Sequence, residues 1–266
     1  MSDATEKKVK TTAPAVPSAT ILMLRDGSDG LEVFMVVRHH QIDFASGALV
    51  FPGGKVAVGD DAVRNQCTGV AGLDDIELEL RVGAIREAFE ECGILLARPQ
   101  GQDDLISGER LSQLEHYREP LAKGEMTIKQ FLDKENLVLA CELLQKFAHW
   151  ITPVMMPKRF DTHFYLAIAP SDHVALHDGH ESVDSVWIQP ATALAEAEEG
   201  KRTIIFPTRL NIEMLGESHS VDSAIEMAQK REIVTVLPHI EKREDGGWLC
   251  IPKEAGYSVS EEKMTQ

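Results

Sequence analysis

The sequence predicts a mixed α/β fold. Two β-rich apolar segments open the chain, an amphipathic helix with a glutamate-rich face follows, and strand and helix signals alternate beyond residue 150. With 266 residues, 43% of them hydrophobic and 26% charged, the chain can bury a sizeable core and suits one domain with insertions.

Taken in order, residues 1–17 carry Lys7, Lys8 and Lys10 among Thr, Ala and Pro, lack the apolar core of a signal peptide, and read as a disordered leader. Ser18 to Arg25 and Leu31 to Arg38 read as two strands joined by Asp26-Gly27-Ser28-Asp29-Gly30. Pro52-Gly53-Gly54 then removes side chains, so that the backbone there can approach another group closely. Asp74-x-x-Glu77 has the form of a capping box and Gly93 suits a left-handed stop, which predicts a helix over 75–92. Leu105 to Trp150 reads as a helical insertion broken at Pro120 and Gly124, with a second start at Thr127-x-x-Gln130. Strands are expected at Trp150 to Val154, Thr162 to Ala169 and Val183 to Ile188, and a helix at Ala191 to Glu199. The expected organisation is a domain over 18–255, with insertions at about 61–78 and 100–150, and a mobile tail over 256–266.

Composition narrows the function classes. The formal charge is −16, from 43 acidic against 27 basic residues, and no Lys/Arg run could track a phosphate backbone, which argues against nucleic acid as a partner. Cys67, Cys92, Cys141 and Cys250 are scattered, so reduced thiols are expected rather than a disulfide framework or a zinc site. No apolar run reaches the ~18–20 residues of a membrane span, and a soluble cytoplasmic protein is expected.

The densest chemistry lies in Arg86-Glu87-Ala88-Phe89-Glu90-Glu91-Cys92-Gly93-Ile94. At helical spacing Glu87, Glu90 and Glu91 fan over one arc while Val82, Ile85, Phe89 and Cys92 gather opposite. Carboxylates so spaced repel by roughly 0.2–0.5 kcal/mol per pair, and a divalent cation reverses that sign. Mg²⁺ prefers oxygen ligands and keeps waters and substrate phosphates in its remaining positions, so the three glutamates form a plausible half-site, with the Gly53-Gly54 turn near it. Arg86 is placed to pair with Glu90 at i+4. The alternative is a solvated glutamate-rich surface.

Gly54, five residues, Asp60, a longer gap and then Arg86-Glu87-x-x-Glu90-Glu91-x-Gly93-Ile94 resembles the Nudix box. Asp60 stands where that family has Glu, and twenty-five residues separate it from Arg86 instead of seven. An enlarged box after Phe51-Pro52-Gly53-Gly54 resembles the Nudix branch that contains the peroxisomal coenzyme A diphosphatases. Trp150-Ile151-Thr152-Pro153, Arg159-Phe160-Asp161-Thr162-His163-Phe164-Tyr165 and Pro207-Thr208-Arg209-Leu210 extend the likeness.

The resemblance implies a Nudix-type α/β/α sandwich with a mixed sheet, and metal-dependent hydrolysis of a diphosphate bond with Mg²⁺ or Mn²⁺. Coenzyme A, acyl-coenzyme A or a related nucleotide is the implied substrate. ADP-ribose, a dinucleotide or a nucleotide sugar is the alternative, and a non-catalytic nucleotide-binding module a third reading. It implies Glu87, Glu90 and Glu91 as metal ligands or water-orienting groups and Arg86 as their supporting cation. Substrate contacts are expected at Arg38, Phe51, Gly53 and Gly54. Arg159 and Arg209 either contact phosphate or adenine or form structural ion pairs. Glu181 is the candidate for a further ligand or general base, the alternative being a solvated loop acid. Trp150, Phe160 and Trp187 read as core rather than as base-stacking platforms. Many Nudix enzymes dimerise, and the 105–150 insertion could supply a homodimer interface.

Overall fold

A computed structural model of the protein describes residues 13–38, 47–179 and 182–264. In chain order its strands are β1 (Ala15–Gly27), β2 (Gly30–Arg38), β3 (Leu49–Val50), β4 (Gly53–Lys55), β5 (Cys67–Thr68), β6 (Ala97–Pro99), β7 (Leu137–Ala140), β8 (Gln145–Ile151), β9 (Arg159–Ile168), β10 (Ser182–Ile188), β11 (Thr235–Val236), β12 (His239–Arg243), β13 (Gly246–Cys250) and β14 (Glu261–Lys263). The helices are α1 (Asp75–Cys92), α2 (Gly108–Leu114), α3 (Arg118–Ala122), α4 (Ile128–Glu135), α5 (Pro190–Glu198), α6 (Phe206–Leu215) and α7 (Val221–Lys230).

The main sheet runs β10-β2-β1-β9-β8-β11, with β3 on β2 and β4 on β1. It is mixed: β1 lies parallel to β9 and antiparallel to β2, and β11 lies parallel to β8. Strand alternation divides its side chains between two cores. Ile21, Met23, Phe34, Val36, Tyr165 and Ala167 point into the layer that holds α1 to α4. Leu22, Leu24, Val33, Met35 and Leu166 point into the layer that holds α5 to α7. The result is the expected α/β/α sandwich, and β1 is apolar on successive residues because it is covered on both faces. Among the described residues no helix is long and apolar enough to cross a membrane.

Three expectations change. β1 begins at Ala15, so the last residues assigned to a leader are sheet, while residues 1–12 lie outside the described part. α-Helix within the 100–150 insertion ends at Glu135; the remainder forms β7, which pairs with β5 and β6 in a small sheet, one 3-10 turn over Cys141–Leu143, and most of β8. Part of the segment expected as a mobile tail forms β14, which pairs with β13. Helix α1, by contrast, spans the expected residues.

Candidate active site on helix α1

Asp74 opens α1 by accepting a hydrogen bond from the Glu77 amide at 2.8 Å, and Gly93 closes it at φ 68°, its amide donating to Phe89 O at 3.0 Å. The expected box is one-sided. Glu77 directs its carboxylate to Arg81 Nε and Lys146 Nζ, each at 2.7 Å. Val82, Ile85, Phe89 and Cys92 are wholly buried.

The opposite face is only partly open, unlike the solvated glutamate-rich surface of the alternative reading: Arg86 and Glu90 are 5% exposed and Asp60 is 1% exposed, while Glu87 and Glu91 are half-buried. Arg86 organises this interior. Its Nε donates to Asp60 Oδ1 at 3.2 Å and its Nη2 to Asp60 Oδ2 at 3.2 Å and Lys55 O at 2.8 Å. Nη1 reaches Glu87 Oε1 at 2.9 Å and both Glu90 oxygens at 3.1 Å. The expected Arg86–Glu90 pair is present, and Asp60 faces the same guanidinium with a second bond from the Ala57 amide at 2.9 Å.

One cation among three carboxylates leaves surplus negative charge. Burial pushes the Glu90 carboxyl up to about 7; Arg86 opposes that shift and Glu87 adds to it. Burial also raises Asp60 against the pull of Arg86. Burial alone would lower the Arg86 pKa, but Glu87, Asp60 and Glu90 outweigh it and hold the guanidinium firmly protonated.

The glycines earn their place by contact. A Cβ on Gly54 would lie 2.6 Å from the Glu87 carboxylate, and one on Gly53 would collide with the backbone of Ala19 and Thr20. The Gly53 amide donates to Glu91 Oε2 at 3.0 Å. Glu91 and Gly53 then line a cleft with Arg38, Phe51, Val36, Val50 and Ser182. Arg38 Nε is buried there without a hydrogen-bond partner among the described residues, a condition that costs about 1–3 kcal/mol for a buried donor.

Thus Arg38, Phe51, Gly53 and Glu91 meet in one cleft, with Gly54, Glu87, Glu90 and Arg86 beside it. Arg159 and Arg209 are engaged elsewhere. Arg159 donates to Thr152 O at 3.0 Å and Ala13 O at 2.8 Å, and Arg209 pairs with Glu213 and Glu262. Trp150 is buried as expected, its Nε1 donating to the Tyr257 hydroxyl. Glu181 lies outside the described residues, next to Ser182 of the cleft. Ser182, Val36 and Val50 carried no signal in the sequence; Asp60 did, but its role as partner of Arg86 depends on a contact across the insertion.

Among the described residues, the groups of three ligand-bearing side chains whose donor atoms all lie within 4.8 Å of one another are His149/Asp161/His163 and His239/Glu241/Cys250. The three glutamates do not converge to that degree, because Glu90 turns to Arg86 and Glu91 to the Gly53 amide. Their donor set still fits a hard divalent cation: it is oxygen only, carries surplus negative charge, and adjoins a glycine backbone that leaves room for Glu87.

Residues 64–213, more than half of the chain, match the family described as the NUDT19 Nudix domain. The chain is 23% identical over 277 aligned residues to the acyl-coenzyme A diphosphatase NUDT19 of Xenopus laevis, covering 88% of this chain and 73% of that protein. It is 27% identical over 234 residues to the putative nudix hydrolase 7 of Caenorhabditis elegans, covering 88% and 72%. Among solved structures, a NUDIX hydrolase from Alicyclobacillus acidocaldarius superposes with a TM-score of 0.68 at 25% identity, over 81% of this chain and 97% of that one.

Proposed function

The chain belongs to the Nudix hydrolase family, and from that premise we propose that it cleaves the diphosphate bond of coenzyme A, acyl-coenzyme A or a related nucleotide with Mg²⁺ or Mn²⁺. The observation that carries this reading is the juxtaposition of a surplus of buried carboxylate with an Arg38 Nε that has no hydrogen-bond partner among the described residues of the adjoining cleft. A cation held by carboxylates and a phosphate oxygen accepting from Arg38 would satisfy both.

In this reading Glu87, Glu90 and Glu91 hold the metal, which supplies charge neutralisation on the diphosphate and a more acidic water. Arg86 keeps Glu87 and Glu90 fixed before substrate arrives, so little reorganisation is needed during reaction. Arg38 binds a phosphate oxygen, Phe51 forms an apolar wall, and the Gly53-Gly54 backbone permits close approach. Glu181 is assigned as the base or a further ligand. Arg159 and Arg209 act in the framework. The similarity to the Xenopus laevis protein supports coenzyme A derivatives as the substrate class.

The test is mass-spectrometric product analysis with coenzyme A, acetyl-coenzyme A, ADP-ribose and NADH, each with Mg²⁺, Mn²⁺ or chelator. Metal-dependent release of 3′,5′-ADP from the coenzyme A species is expected. AMP from ADP-ribose or NADH beside intact coenzyme A would overturn the substrate assignment, and nucleotide binding without product would favour a non-catalytic module.

A further inference from the structure

Two strands across the sheet from Gly54 lies a second group of ligand-bearing side chains. Ala19 of β1 pairs with Gly54 on one side and with His163 of β9 on the other, and His163 pairs in turn with His149 of β8. Asp161 stands two residues before His163 and so projects from the same face of β9. The donor atoms of His149, Asp161 and His163 all lie within 4.8 Å of one another. Asp161 Oδ1 is 2.5 Å from His149 Nε2 and 3.8 Å from His163 Nε2. The two imidazoles stack with centroids 3.9 Å apart, 22° from parallel.

We propose that His149, Asp161 and His163 form a binding site for a divalent transition-metal ion of the Zn²⁺ class, distinct from the helix α1 site. Two imidazole nitrogens and one carboxylate oxygen form a donor set that suits Zn²⁺ and its first-row neighbours and is ill-suited to Mg²⁺. Tetrahedral ligands at about 2.0–2.1 Å from Zn²⁺ sit roughly 3.3 Å apart, and the two separations from Asp161 bracket that value, so the donor atoms already lie near metal-ligand spacing. The backbone is held by the β8–β9 ladder.

The surroundings fit this use. Thr235 Oγ1 of β11 lies 2.8 Å from His149 Nδ1 and can accept a hydrogen bond from Nδ1–H, which leaves Nε2 free to bind a cation at the shared centre, the kind of outer contact that orients metal-binding histidines. His149 and His163 line a second cleft with Lys146, Phe164, Tyr165 and Ile233, and Lys146 pairs with Glu77 at 2.7 Å, so its charge is partly compensated. All three ligands are half-buried, and the two imidazoles open on that cleft, which gives an entry path.

The test uses the full chain stripped of metal, with Zn²⁺ titrated against a chromophoric chelator and Co²⁺ followed by visible absorption. A Zn²⁺ equivalent that persists in Glu91→Gln and weakens by about tenfold or more in His163→Ala is expected, as is a Co²⁺ band of low-coordinate type that His163→Ala abolishes. Unchanged Zn²⁺ binding in His163→Ala, or no Zn²⁺ binding by the wild type, would overturn the site. Should His163→Ala lose its native circular dichroism, the near-isosteric Asp161→Asn supplies the same readout. Since Glu91→Gln separates the two sites, the outcome is independent of whether the diphosphatase reading holds.

Discussion

At Glu87, Glu90 and Glu91 the candidate ligands sit on adjoining turns of one helix, the first two held by a buried guanidinium and the third by the Gly53 amide, whereas at His149, Asp161 and His163 they sit on neighbouring strands and face one another directly. Carboxylates repel when gathered, so the helix cluster needs Arg86 to exist without a cation. Imidazoles can be neutral, so the strand cluster needs no such counter-charge. The difference teaches that an oxygen site for a hard cation must be scaffolded electrostatically, while a nitrogen-rich site can be scaffolded by the backbone ladder and a neutral hydrogen bond such as that between His149 and Thr235.

The sharpest way to break this contrast is Arg86→Ala. It strands Asp60 and Glu90 as buried carboxylates, and a loss of about 3–5 kcal/mol in urea unfolding is expected; a loss below about 1 kcal/mol would mean that the helix cluster needs no scaffold. Next, Glu91→Gln is expected to reduce diphosphate hydrolysis by about 100-fold or more. Its stability should change little, since the amide oxygen can still accept from Gly53. Full activity in this variant would remove Glu91 from the metal assignment. A smaller effect, about tenfold in activity or metal affinity, is expected for Gly54→Ala, which drives a methyl into the Glu87 carboxylate. Wild-type kinetics would show that Glu87 can move without consequence. The smallest effect belongs to Arg209→Ala, whose ion pairs with Glu213 and Glu262 lie on a partly exposed surface: under about 1 kcal/mol of stability, with turnover nearly unchanged. A large rise in KM would return Arg209 to the substrate site.

The helix that bears the cluster was legible because local chemistry fixes both its ends, Asp74 by side-chain capping and Gly93 by a left-handed turn. The glutamate spacing and the Arg86–Glu90 pair follow from the same periodicity. Leu137–Ala140 was read as helix because a four-residue apolar run has no decisive period, and its strand identity comes from partners β5 and β6 far along the chain. Exposed β12 and β14 lack the apolar alternation that marks a half-buried strand. The burial of the acidic face was illegible for a related reason: Asp60, Lys55 and Ala57 reach Arg86 or its partners only after the chain has folded back across the insertion.

The Asp60–Arg86 contact also bears on how this family member tolerates its enlarged motif. By joining the residue at the start of the inserted stretch to the first residue of the Arg-Glu run, it closes a loop whose return limb is the first half of α1, with Leu78, Val82 and Ile85 in the core. Closure entropy grows only logarithmically with length, so doubling such a loop adds about 0.6 kcal/mol. The pair thereby holds the start of the Arg-Glu run against the chain that leaves the glycine turn, so that lengthening the exposed part of the loop before Asp74 costs little and leaves the glutamates in register.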